Sequence, residues 1–110
     1  MAERLWEAEI HEAIALLDRK NPGWRDSIVL DELRMGDGEH CVLGQVYGDY
    51  DVGMTKLFTK RKRDAEGFRA LAESYGFEVE YDWYTAGGRS NYGVLTRAWK
   101  RVLKELGIGT

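Results

Sequence analysis

"CVLGQVYGDY", residues 41–50, is the stretch on which the fold turns. It holds the chain's single cysteine, glycines at 44 and 48, and a glutamine among apolar residues. Drawn as a helix, it places Val42, Val46 and Tyr50 on one row and Leu43 and Tyr47 on the next. Cys41, Gln45 and Asp49 form a third row, and Gly44 and Gly48 a fourth, since residues four apart share a helix face. Each glycine costs a helix about 1 kcal/mol relative to alanine. Close approach of another backbone is the compensation expected. The stretch therefore reads as one buried helix, with Gly44 and Gly48 under a crossing helix, Cys41 buried, and Gln45 satisfied by backbone groups.

Upstream, residues 2–20 read as an amphipathic helix. Trp6, Ile10, Ala13, Ile14 and Leu17 follow one helical stripe. Acids gather near its start and Arg19-Lys20 near its end, as the helix dipole favours. Asn21-Pro22-Gly23 stops it. Leu5 and Leu16 fall off the stripe, so either the helix is covered on two sides or these leucines belong to a contact surface. Trp24, Ile28 and Leu33 follow in a short helix or irregular segment, with their side chains toward the core.

Downstream, residues 64–75 present Phe68, Leu71 and Tyr75 on one helical face, and Gly76 is the stop. "FEVEYDWY" (77–84) alternates apolar and acidic residues, which is strand periodicity without a strong partner strand. The clearest helix runs from about Tyr92 to Leu106 and ends at Gly107. The fold class expected is mainly α: a single compact domain over residues 1–110 with three to five helices, α+β if 77–84 pair as a strand. Its core combines Trp6, Ile10, Ile14 and Leu17 with Leu43, Val46, Tyr47, Phe68, Leu71, Trp99, Val102 and Leu106.

Composition supports a globular chain. Of 110 residues, 44% are hydrophobic and 32% charged, and four Trp, six Tyr and three Phe supply apolar bulk. Each aromatic buries about 150–250 Å², so a core forms without metals or disulfides. One cysteine allows no internal disulfide, which fits a reducing cytoplasm. The first 20 residues lack the apolar region of a signal peptide, and no run approaches the length of a membrane span.

No catalytic or metal motif emerges. A nucleophilic cysteine needs a base in reach and something to lower its pKa. His40 is adjacent to Cys41 in sequence, and neighbours on a helix point about 100° apart. A small buried hydrophobe is the better reading of Cys41. "HEAIA" (11–15) has alanine where the zinc motif H-E-x-x-H needs its second histidine. Glu78, Glu80 and Asp82 read as a solvated strand face rather than a cation site. "AGGRSNYG" (86–93) matches no phosphate-binding loop. No cofactor and no metal are expected.

What remains is basic. Residues 1–55 hold 5 Lys/Arg against 12 Asp/Glu, a balance of −7, and residues 56–110 hold 11 against 7, a balance of +4. "KLFTKRKR" (56–63) carries five of these cations. On the last helix Arg97, Lys100, Arg101 and Lys104 lie within about 100° of the circumference. Such a stripe docks an acidic partner or a phosphate backbone, although a solvated helix face and the dipole also account for it.

Three segments carry a resemblance: "WRDSIVLDELRMGDGEHCVLGQVYGDY" (24–50), "YGF" (75–77) and "YGVLTRAWKRVL" (92–103). Together they resemble short proteins encoded by actinobacteriophages and their prophages. Those proteins share a Trp-Arg start, an Ile-x-Leu-x-x-Leu segment, a Cys-[Val/Ile]-Leu-Gly-Gln core and a final helix with Leu-Thr-x-x-Trp. The resemblance implies a small phage protein acting in the cytoplasm of an actinobacterial host, and it transfers no catalytic residue. The function expected is thus non-enzymatic binding and modulation of a host protein. The alternative is a nucleic-acid binder using segment 56–63 and the C-terminal helix. Arg61, Lys62, Arg97, Lys100, Arg101 and Lys104 are the candidate partner-binding residues.

Overall fold

The computed structural model describes residues 5–58, 65–79 and 92–109. Among the described residues five α-helices carry the fold: α1 (Glu7–Lys20), α2 (Val42–Tyr47), α3 (Tyr50–Leu57), α4 (Ala65–Ser74) and α5 (Tyr92–Glu105). Two 3₁₀ turns, Trp24–Ser27 and Leu30–Glu32, link α1 to α2. No strand occurs among the described residues. The radius of gyration, 13.3 Å, is close to the roughly 13 Å of a compact 100-residue domain. The protein is mainly α. Of the alternating stretch 77–84, residues 77–79 are irregular, and 80–84 lie outside the described residues, as do Arg61 and Lys62.

Helix α1 packs against α5 and buries Ile10, Ala13, Ile14 and Leu17, the residues of its apolar stripe. Leu16 is buried as well, so this helix is covered on two sides. Trp6 leads into it in the left-handed conformation, φ 68°. That costs a residue with a Cβ about 1–2 kcal/mol, and the buried indole offsets it. After the helix, Trp24 and Arg25 both turn back onto Asp18. The indole Nε1 donates to Oδ1 at 2.7 Å, and the guanidinium donates to both carboxylate oxygens, at 3.1 and 2.8 Å. The Arg25 guanidinium holds the Asp18 carboxyl below the usual carboxylate range. A Trp-Arg pair here is a clamp on the end of α1.

Helices α4 and α5 end alike. Gly76 (φ 68°) and Gly107 (φ 71°) adopt the left-handed conformation. Phe77 N–H donates to the Ala72 carbonyl at 2.9 Å and Gly76 N–H to Glu73 at 3.1 Å; Ile108 N–H donates to Leu103 at 2.8 Å and Gly107 N–H to Lys104 at 3.1 Å. This double hydrogen bond is the Schellman motif, which brings the residue after the glycine back toward the helix. Phe77 and Ile108 are accordingly buried. Phe77 stacks on Trp99 with centroids 6.0 Å apart, and the Trp99 indole N–H donates to the Gly76 carbonyl at 2.6 Å. The core place expected for Leu106 belongs to Ile108. Leu106 is 43% exposed, because the helix ends there and the turn carries the chain across its end.

The stretch 41–50 is not one helix. Cys41 is the N-cap of α2, its sulfur accepting from Gly44 N–H at 3.3 Å. Gly48 (φ 92°) is the C-cap, exposed, with open space where a Cβ would stand. Asp49 then caps α3 by accepting from Asp51 N–H at 2.8 Å. Close backbone approach does occur at Gly44. The approaching chain is the 38–39 loop rather than a crossing helix, with Gly38 O and Glu39 C each 2.5 Å from an added Cβ. The helix crossing uses Gly53 of α3, where a Cβ would meet Leu43 Cβ at 2.8 Å and Tyr47 Cδ2 at 3.0 Å. Gln45 is satisfied by backbone groups as expected. Its Oε1 accepts from Val29 N–H at 2.7 Å, and its Nε2 donates to the carbonyls of Val29 and His40 at 3.1 and 3.2 Å.

Candidate functional site

Helix α5 positions the candidate cations. Leu95, Ala98, Trp99, Val102 and Leu103 bury its inner face. The complementary arc must face outward, and Arg97, Arg101 and Lys104 are exposed there, with Lys100 half-buried among them. Thr96 anchors the helix to the loop before α2 by accepting from Met35 N–H at 2.9 Å. Among the described residues no ion pair engages Arg97, Lys100, Arg101 or Lys104. Four cations thus share one face, with no carboxylate of the described residues within ion-pair distance of them. Arg61 and Lys62, the other two candidates, lie outside the described residues.

Two concave features were not legible in the sequence. The first is a groove of about 520 Å³ between residues 25–29 and 106–109. Val29 (46% exposed) and Leu106 flank it, two of the three exposed large aliphatic residues among those described. The second is a cavity of about 250 Å³ whose lining includes Cys41, Asp49, Tyr50, Phe77, Glu78 and Tyr92. Here Tyr50 Oη donates to Glu78 Oε2 at 2.5 Å, the length of a charge-assisted bond. Arg69 Nε stands 3.4 Å from the other carboxylate oxygen. Tyr50 and Glu78 are 28 positions apart, so no local signal announces their pairing.

The titration of this cavity has one direction. Burial first, and then the Glu78 carboxylate, raises the Tyr50 phenol above its ordinary value. Burial and Glu78 raise Tyr92 likewise, and burial raises the Cys41 thiol. A thiol that is buried and held above its usual range is a poor nucleophile. Each of these groups keeps its proton more firmly in the folded state. Their contribution to stability is therefore complete below the ordinary values, 9.0 for the thiol and 10.0 for the phenols, and is lost as pH rises beyond them. The urea midpoint should fall steadily from about pH 9 to 11. Tyr50→Phe should flatten that fall, and an unchanged slope in the variant would remove Tyr50 from the account.

Among the described residues no group of three or more His, Cys, Asp or Glu is placed to hold a metal ion. No described helix is long and apolar enough to cross a membrane. The sequence motifs are used by the fold: Trp24-Arg25 clamps α1, Cys41 caps α2, Gln45 ties the 28–30 segment, and Thr96 and Trp99 bind α5 to its neighbours. No protein-family model, curated protein or solved structure matches the chain.

Proposed function

We propose that this is a small phage protein that binds a host protein in the bacterial cytoplasm and modulates it without catalysis, using the outer face of α5. The observation that carries the reading is the set of cations at 97, 100, 101 and 104. They share one face and have no ion pair among the described residues, while the opposite face of the helix is buried. A row of one sign, unpaired among the described residues, steers an oppositely charged partner and governs its rate of encounter. The use of Cys41 as a buried helix cap supports reading that residue as structural rather than as a nucleophile. The Arg61–Lys62 segment belongs to the same proposal as a second basic contact.

The test is a variant with Arg97, Lys100, Arg101 and Lys104 all replaced by glutamine, which keeps helix propensity nearly unchanged. Its stability should fall by no more than small dipole contributions, about 0.3–1 kcal/mol for each cation near the helix end. Its association with the host partner, captured from lysate by the wild-type protein, should slow mainly at low ionic strength. A variant that binds that partner normally at every salt concentration would place the interface elsewhere. Nucleic-acid binding would appear instead as a salt slope that drops by about 0.9 for each phosphate no longer neutralised.

A further inference from the structure

The spacing of the α5 cations says more about the partner, on the reading that this face docks a protein: we infer that the partner presents an acidic α-helix, antiparallel to α5. Arg97, Lys100, Arg101 and Lys104 stand at i, i+3, i+4 and i+7. With a rise of 1.5 Å per residue, their heights along the axis are about 0, 4.5, 6 and 10.5 Å. This series is the same read from either end. Carboxylates at j, j+3, j+4 and j+7 of a second helix fall at matching heights in either direction. Same-face residues of a strand recur every ~6.6 Å and lose step with the row at once. The dipole selects the orientation. The row occupies the C-terminal part of α5, and acids are favoured in the first turns of a helix, so the two ends meet antiparallel.

Other occupants fit less well. A single-stranded nucleic acid needs aromatic platforms, and the aromatic residue within this row's span, Trp99, is wholly buried. The Thr96 hydroxyl, a potential polar reader beside the row, accepts from Met35 N–H. Duplex DNA is disfavoured by the chain's net charge of −3 and its acidic pI of about 5.4. A second copy of the chain offers no complement among its described helices. No described helix carries acids at j, j+3, j+4 and j+7.

The experiment uses the whole protein and two labelled alanine-based helical peptides of roughly 20 residues. One carries four glutamates at j, j+3, j+4 and j+7 near its N-terminus; the other has the same composition with glutamates at j, j+5, j+10 and j+15, spread around the helix. Fluorescence anisotropy at low salt should show the phased peptide bound about tenfold more tightly. The four-glutamine variant should bind both equally. Equal affinity of the wild-type protein for the two peptides would overturn the inference, and so would a duplex oligonucleotide that displaced the phased peptide more effectively than the peptide displaced itself. If host-protein capture depended on the cations while the peptides were not distinguished, the inference would fail and the docking face would stand. If capture were indifferent to the cations too, the face itself would be wrong.

Discussion

Replacing Gly44 with alanine is expected to lower the unfolding free energy by about 3 kcal/mol or more, the upper end of overpacking costs. The new Cβ would lie 2.5 Å from both Gly38 O and Glu39 C, and 2.7 Å from Glu39 O. These are backbone atoms, so no side chain can rotate away. Nor is the loop free to retreat. The Gly38 carbonyl accepts from Tyr50 N–H at 2.8 Å, and Asp37 holds Glu39 N–H at 2.9 Å. Relieving the clash would break the start of α3 or the turn before α2. Gly48→Ala is the comparison, since nothing lies within 4 Å of its Cβ position and only the positive φ, worth about 1–2 kcal/mol, opposes it. Thermal unfolding of the two variants should separate by several degrees, at roughly 4–8 °C per kcal/mol for a domain near this size. Gly48→Ala emerging as the more damaging change would mean that the 38–39 loop does not press on α2.

Trp99→Ala should be at least as severe, about 3–5 kcal/mol from the lost volume alone. The indole is fully buried and stacks on Phe77. Its N–H also satisfies the Gly76 carbonyl within the core, and orphaning a buried acceptor adds about 1–3 kcal/mol. Trp99→Phe separates the two causes, because it keeps a ring in the core and removes only the donor and part of the volume. Urea titration followed by circular dichroism should show Trp99→Phe intermediate between wild type and Trp99→Ala. A Trp99→Phe variant as stable as wild type would show that the Gly76 carbonyl finds another donor, and that the α4 turn does not depend on α5.

The outward placement of the α5 cations was legible in the sequence. On α5 the apolar positions Leu95, Trp99, Val102 and Leu103 define the buried face, and the helical period then places Arg97, Lys100, Arg101 and Lys104 on the other side. What the sequence could not contain is that no described residue forms an ion pair with them, which depends on the elements that lie alongside. The Val29–Leu106 groove was hidden for a related reason. Helical extrapolation put Leu106 in the core, but the period ceases at the left-handed Gly107, and Ile108 takes that place.

By itself the sequence determined the elements whose causes are local. The stripes of α1, α4 and α5, and the glycines that stop the last two, act within a few residues of one another, so spacing suffices to read them. The tertiary structure alone decided between Gly44 and Gly48, which are chemically the same residue four positions apart. One meets the 38–39 backbone and the other meets solvent. It also chose the partners of Gln45, 16 positions away at Val29, and of Tyr50, 28 positions away at Glu78. Such pairings follow from how the helices pack, because burial rewards any apolar face that is covered and does not specify in advance which polar groups the covering brings together.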